Sequence, residues 1–158
     1  MKWCCVAGTI AMAAGARLGA QLPKLRPYPE FRADALFGGG STVQGGAGVA
    51  IPLGVYVRLG IDAAAGATWD DDRTRGSERI EAVARFLLDP FREAPIGLSM
   101  GGGASLRYVG GGHVQPYLVA VVDVEGRRHA GFTPAVQVGL GAGTRVSIVL
   151  RRSVPQWR

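Results

Sequence analysis

Hydrophobic and polar residues alternate one by one over most of the chain, from about Phe31 to Arg151. The clearest runs place small or apolar residues at every second position over 55–67 and again over 96–106. A period of two residues is typical of a β-strand with one buried and one exposed face. These runs are about twice as long as the usual strand of a soluble domain, and long enough to cross a bilayer when tilted. The pattern therefore predicts membrane-spanning β-strands.

Glycine- and proline-rich turn signals divide the alternating region into eight predicted strands. The strands cover residues 30–37, 42–51, 55–69, 77–88, 96–109, 116–125, 132–142 and 145–152. Residues 70–76 are expected to form the only long, strongly charged connection. Eight is the smallest strand number common among membrane barrels, and closure leaves no unpaired sheet edge in lipid. We predict an all-β fold, an eight-stranded antiparallel up-and-down barrel over residues 30–152.

The fourth segment, 77–88, also permits a helix. Ile80, Val83, Ala84 and Leu87 recur at three- and four-residue spacing, as on one face of an amphipathic helix. The seven strand-like neighbours favour a strand here as well.

The first twenty residues have the features of a secretory signal peptide. Lys2 precedes an uncharged apolar stretch that is too short to span a membrane, and small residues follow at a plausible cleavage site. Both cysteines, Cys4 and Cys5, lie in this segment. The mature chain is therefore expected to have no disulfide and no cysteine-based metal site. Residues 21–29 are predicted to be an extended leader, and 153–158 a C-terminal tail.

Alternation alone does not decide which face of the barrel is inside. A soluble barrel of lipocalin type, periplasmic or secreted, has an apolar interior around a small hydrophobic ligand, whereas a membrane barrel has its apolar face outside. The polar face here is rich in Gly and Ser and carries charges of both signs, which suits a narrow enclosed lumen where charges must be paired. Aromatic residues also collect at the segment ends, as in interfacial girdles. We predict a lumen charge network of Arg58, Asp62, Arg79, Glu81, Arg85, Arg107, Asp123 and Arg145.

In strand number, length and signal the chain resembles the small eight-stranded outer-membrane barrels, the class of the OmpA transmembrane domain and OmpX. The resemblance covers residues 30–152. It implies a monomer in the bacterial outer membrane, in contact with outer-membrane lipid, lipopolysaccharide and the assembly machinery, with a structural or surface-interaction role and no cofactor. One feature departs from the class: the last strand lacks a closing aromatic residue, and Trp157 lies beyond Pro155.

The candidate chemistry adds little to this picture. The net charge of +6 does not indicate nucleic-acid binding, because no block of Lys and Arg exceeds two residues. His113 and His129 lie in separate connections and lack the His-x-Ser motif of lipid A deacylases on this fold. Asp70, Asp71 and Asp72 are interpreted as a solvated hairpin tip rather than a metal site. We expect no catalytic residue and no bound metal; a lipid-modifying barrel enzyme is the weaker alternative.

Overall fold

In the computed structural model, residues 26–70, 73–91 and 93–152 are described, and they form one closed antiparallel barrel in the order β1 to β8. The strands are β1 Tyr28–Phe37, β2 Ser41–Pro52, β3 Val57–Asp70, β4 Arg73–Leu87, β5 Gly97–Val109, β6 Gln115–Glu125, β7 Phe132–Leu140 and β8 Thr144–Arg152. The predicted signal peptide, most of the leader, Asp71, Asp72 and the C-terminal tail lie outside the described residues.

The barrel closes where β1 pairs with β8, from Glu30–Arg151 to Phe37–Thr144. The predicted eight-stranded antiparallel barrel is therefore confirmed. The fourth segment forms a strand along its whole length, paired with β3 on one side and β5 on the other. The helical alternative is wrong, because tertiary pairing on both edges outweighs local helix propensity.

Several boundaries differ from the predicted ones. β1 begins at Tyr28, so the last two residues of the predicted leader belong to the sheet. The expected long connection over 70–76 is wrong, since Asp70 pairs with Arg73 in the ladder and β4 begins there. An ion pair of 2.8 Å between Arg75 and Asp70 spans this hairpin. β7 ends at Leu140, earlier than predicted, because residues 141–143 form a turn in which Gly143 has a positive φ of 139°.

The two ends of the barrel are distinguished by their connections. We call the end holding Tyr28 and Arg152 the lower end, and the opposite end, with the hairpins β1–β2, β3–β4, β5–β6 and β7–β8, the upper end. Connections at the lower end include the long segment between Leu87 and Gly97, whereas the upper hairpins are short. At the upper end, residues 73–76 of β4 extend beyond its ladder with β5.

Burial alternates along each strand, with polar side chains facing inward. In β8, Arg145, Ser147 and Arg151 are buried, while Ile148 and its apolar neighbours on the other face are exposed. The same polarity holds around the barrel, with Leu, Ile, Val, Phe and Met side chains on the outside. The soluble alternative with an apolar interior is therefore wrong. One small apolar cluster does lie inside, formed by Val83, Val119 and Val121 with Tyr117 packed against it.

Two glycines allow β5 to lie close against β4. A Cβ atom at Gly101 would collide with the carbonyl oxygen of Ala84, and one at Gly103 with that of Ala82. Because both positions face the lumen, a side chain there would force the strands apart and alter the curvature of the wall. Glycine at these points thus serves barrel closure as well as the narrow interior.

Candidate functional site

The described interior of the barrel holds seven arginines and six carboxylates, all buried. From here on, the name lumen charge network refers to this whole set and no longer to the eight predicted residues alone. Its members are Glu30, Arg32, Asp34, Arg58, Asp62, Arg79, Glu81, Arg85, Arg107, Asp123, Glu125, Arg145 and Arg151. It includes all eight residues that the sequence pattern predicts to face the lumen. Because buried charges are costly unless paired, their contacts decide what this interior can do.

Near the lower end, Arg151 contacts three carboxylates. Its Nε donates to Glu30, its Nη1 to Glu125 at 2.8 Å and its Nη2 to Asp123 at 3.0 Å. The planar guanidinium presents donors in several directions, so one arginine can join three acids from two other strands. β8 therefore connects to β1 and β6 across the lower lumen through a single side chain.

Two further arginines complete this lower cluster. Arg58 on β3 donates to Glu125, and its guanidinium lies 5.5 Å from the ring centroid of Tyr28. Arg85 on β4 lies 3.4 Å from Glu30 and 3.1 Å from Asp123. The cluster thus joins β1, β3, β4, β6 and β8 in one set of charge-assisted contacts.

The middle of the lumen is occupied by a second cluster centred on Arg32. Its Nε lies 3.0 Å from Asp34 and its Nη1 donates to Asp62 at 2.7 Å. Arg79 reaches the same two carboxylates from β4, contacting Asp34 and lying 3.4 Å from Asp62. Arg32 also donates to Gln137 on β7 at 2.8 Å. Side chains from opposite walls therefore meet near the barrel axis and fill it.

Glu81 and Arg145 form a two-pronged ion pair across the lumen. The two terminal nitrogens of Arg145 donate to the two carboxylate oxygens of Glu81 at 2.6 and 2.7 Å. Gln137 accepts from Arg145 at 3.3 Å and donates to Asp123 at 3.2 Å. Through this amide the middle cluster is hydrogen-bonded to the lower one.

Arg107 stands apart from both clusters. It donates to the hydroxyl of Thr42 at 2.7 Å and lies 3.4 Å from that of Thr68, near the upper end. These two hydroxyls are hydrogen-bonded to each other at 2.8 Å. No ion pair between Arg107 and a carboxylate is found in the described part of the chain. It is the one predicted lumen residue that the structure does not bring to an acid.

Pairing between adjacent strands is only a small part of the network. Directly opposite each other on β3 and β4 lie Arg58 and Arg85, and Asp62 and Glu81, so the nearest cross-strand neighbours carry like charges. Like charges directly opposite are destabilising. The partners therefore come from across the lumen, on β1, β6 and β8.

Five members of the network are missing from the predicted set: Glu30, Arg32, Asp34, Glu125 and Arg151. Each of them lies an even number of residues from another inward-facing charge on the same strand, as Glu125 does from Asp123 and Arg151 from Arg145. This even spacing along the strand is the sequence signal that identifies them. Their omission hides the centre of the lower cluster, which is formed by β1, β6 and β8.

The two histidines lie far apart, and no metal site is found among the described residues. His113 lies at the upper end and His129 at the lower end, both exposed to the surroundings of the barrel. No group of three His, Cys, Asp or Glu side chains suited to a metal ion occurs in the described ranges. Helices long and apolar enough to cross a membrane are likewise absent from that part of the chain. The chemistry that remains is charge pairing in a filled interior.

Two solved structures share this architecture. The crystal structure of Neisserial surface protein A has a TM-score of 0.57 and 12% sequence identity, covering 81% of this chain and 96% of that chain. A structure described as de novo design of transmembrane beta-barrels has a TM-score of 0.50 and 15% identity, covering 80% and 95%. The resemblance to small eight-stranded barrels is thus confirmed at the level of fold. No protein-family model matches the sequence, and no match is found among curated proteins.

Proposed function

We propose that the chain is a small, monomeric outer-membrane β-barrel protein with a structural or surface-interaction role and no catalytic activity. The observation that carries this proposal is the inverted polarity of the barrel. Buried charges fill the interior, and large apolar side chains cover the outside. In water such a surface would expose far more contiguous apolar area than a soluble monomer tolerates. In a bilayer the same surface faces hydrocarbon, and the eight strands close into one sheet that has no edge strand.

Aromatic residues on the outer surface form two bands at the strand ends. Phe37, Trp69 and Tyr108 lie at the upper ends of β1, β3 and β5, all exposed. A lower band contains Tyr56, Phe86, Phe91 and Phe132; the first two rings stack at 5.8 Å, and Phe91 meets Tyr56 edge-on at 6.4 Å. Bands of this kind are typical of the two membrane interfaces in transmembrane barrels. They support placing the region between them in the bilayer.

The proposed location in the outer membrane implies contacts with lipid and with the assembly machinery. An apolar belt of this kind requires outer-membrane lipid, and lipopolysaccharide is its outer-leaflet neighbour. The barrel would reach the membrane after cleavage of the N-terminal signal and with the help of the assembly machinery. The closed, mutually paired sheet of the described residues is complete within one chain, which supports a monomer.

Detergent-dependent folding tests the membrane placement. We expect the mature chain to fold when diluted from urea into detergent micelles, and to migrate on a gel at a different position before and after boiling. The same dilution without detergent should give aggregates, because the apolar surface has no lipid-like environment to enter. A folded, soluble monomer in plain buffer would rule out this placement.

The filled lumen predicts a barrel that does not conduct ions. Arg32 and Arg79 meet their carboxylate partners near the axis, and the side chains of an eight-stranded barrel are sufficient to fill its interior. In a planar lipid bilayer we expect no stepwise current from the purified protein, whereas a general porin added to the same membrane should give steps. Reproducible steps from the protein itself would show that the network opens and would favour a gated pore.

A further inference from the structure

Charge outside the lumen is distributed unevenly between the two ends of the barrel. At the upper end, two acids and two bases of the described chain are exposed or half-buried, namely Asp70, Arg73, Arg75 and Glu78. At the lower end, four arginines are exposed: Arg26, Arg127, Arg128 and Arg152. The carboxylates found outside the lumen at that end, among the described residues, are Asp89 and Glu93. The described part of the lower rim is therefore net positive.

This positive charge and the two acids belong to different connections. Asp89 and Glu93 lie between β4 and β5, where the Asp89 carboxylate accepts hydrogen bonds from the backbone N–H groups of Glu93 and Ala94. Arg127 and Arg128 are consecutive in the connection between β6 and β7, residues 126–131, which contains no carboxylate. This connection is therefore the most basic exposed segment of the described chain.

Backbone hydrogen bonds continue the β6–β7 hairpin beyond its ladder, with an unequal number of residues on its two arms. The N–H of Gly126 donates to the carbonyl of Pro134 at 2.8 Å. Nearer the tip, His129 and Phe132 exchange two backbone hydrogen bonds, at 2.7 and 2.9 Å. Between these contacts the first arm has two residues, whereas the second has only Thr133. Two residues opposite one is the arrangement of a β-bulge.

The two residues of the bulge are Arg127 and Arg128. In a regular strand one of two consecutive side chains would point into the barrel, but here both are exposed, while Thr133 opposite them is buried. The tip is closed by Ala130 and Gly131, with positive φ angles of 47° and 83°, as in a type I′ turn. A non-glycine residue is disfavoured there, and such strain persists only where the surrounding structure holds it. The bulge and the turn thus present two adjacent guanidinium groups on the lower rim.

Phe132 gives the depth of the bulge in the membrane. It is the first residue of β7, is exposed on the outer surface and belongs to the lower aromatic band. Aromatic bands lie at the level of the lipid headgroups. Because Phe132 is hydrogen-bonded to His129, the residue that directly follows the bulge, the two arginines lie next to this level. Lipid phosphate groups are found at the same depth.

We propose that the β6–β7 bulge binds the phosphate group of an anionic glycerophospholipid. The guanidinium groups of Arg127 and Arg128 donate charge-assisted hydrogen bonds to the phosphate oxygens, and the ring of Phe132 lies beside the upper part of the acyl chains. Basic residues at a membrane surface favour a negatively charged headgroup over a zwitterionic one. The site rests on the proposed membrane placement.

The connections of the barrel indicate which leaflet supplies this lipid. If the ends of the chain stay on the side from which it inserts, the upper connections are the ones that must cross the hydrocarbon. They are the shorter ones, residues 38–40, 71–72, 110–114 and 141–143, and few backbone groups then lose water on the way. The lower rim is accordingly assigned to the periplasmic leaflet, which consists of glycerophospholipids.

Native mass spectrometry of the full chain folded in neutral detergent tests the site. With equal amounts of phosphatidylglycerol and phosphatidylcholine of the same acyl chains, the phosphatidylglycerol-bound form is expected to dominate by about tenfold. Equal occupancy of the two lipids would overturn the proposal. Inorganic phosphate in excess should not displace the lipid, and displacement would show a site for the free anion instead. Preference for lipid A over phosphatidylglycerol would assign the rim to the opposite leaflet and would also overturn the proposal.

A pair of variants locates the preference on the barrel. Arg127→Gln is expected to lower the preference for phosphatidylglycerol by about fivefold. Arg73→Gln is the matched control, because Arg73 is also an exposed arginine but lies at the upper end, and it should keep the preference of the parent protein. Equal preferences in the two variants would contradict the site. The shift in gel mobility on boiling shows whether each variant is folded.

The salt dependence of the parent protein gives a readout that needs no variant. Raising the ammonium acetate concentration from about 0.02 to about 0.5 M shortens the screening length, so the preference for phosphatidylglycerol should decline towards one. A preference that salt leaves unchanged would contradict a contact between guanidinium and phosphate. Folding of the chain without detergent would instead contradict the membrane placement, so the two failures are distinguishable.

Discussion

Replacing Arg151 with Gln is expected to lower the free energy of unfolding by about 3–5 kcal/mol. This guanidinium contacts Glu30, Asp123 and Glu125, more carboxylates than a neutral amide can satisfy. Of the three arginines that contact these buried acids in the lower cluster, two would remain, Arg58 and Arg85. Leaving a buried charge without its partner costs far more than the net stabilisation that the intact pair provides. Reversible urea unfolding from lipid vesicles measures the difference.

The neighbouring residue provides the control for this experiment. Arg152 is on the same strand but faces outward and is exposed. Arg152→Gln removes the same charge from the same chain, so we expect its unfolding free energy to stay within about 0.5 kcal/mol of the parent protein. If the two variants were equally stable, the enclosed network would not contribute to stability in the way that its geometry indicates.

The alternation of residue types was sufficient to predict the barrel because one face of every strand had to be apolar. In a two-residue period, a single decision about orientation assigns every side chain to the lumen or the outside. Small residues and charges of both signs on one face supported that decision. The buried positions of Asp62, Arg79 and Arg145 therefore follow from the two-residue period and that one decision about orientation.

The pairing within the lumen was not predictable in the same way. Which acid Arg85 contacts depends on the stagger of the strands and on side chains from the opposite wall. The alternation of residues along one strand contains neither kind of information. On the adjacent strands β3 and β4, Arg58 and Arg85 lie directly opposite each other and carry the same charge. Their partners, Glu30, Asp123 and Glu125, lie on β1 and β6.

The sequence pattern also does not predict the short ladder between β6 and β7, which has only six residue pairs. Apolar alternation continues through residues 132–142, so it predicted a longer β7 than the one observed. The strand ends at Leu140 because the following three residues turn, with Gly143 at a positive φ that favours glycine. Alternation reports which face a residue is on, but it does not report whether a neighbouring strand is present to pair with it.

Ile80→Arg is expected to destabilise the barrel in lipid by about 2–4 kcal/mol. Ile80 lies midway along β4, faces outward and is 60% exposed. If the apolar belt is in the bilayer, this side chain is near the midplane, where a guanidinium is far from water and from any anionic partner. The cost falls towards the interfaces, so the effect depends on depth. Unfolding by urea from lipid vesicles gives the free-energy change.

The matched control is Val114→Arg, which introduces the same charge at an exposed apolar residue of the β5–β6 connection. That position lies beyond the strand ends, where water is available, and its unfolding free energy should change by about 0.5 kcal/mol or less. The two variants have the same charge and differ in depth, so a difference between them isolates the bilayer. Equal effects, or a stable Ile80→Arg protein in vesicles, would place the outer face of β4 outside the hydrocarbon.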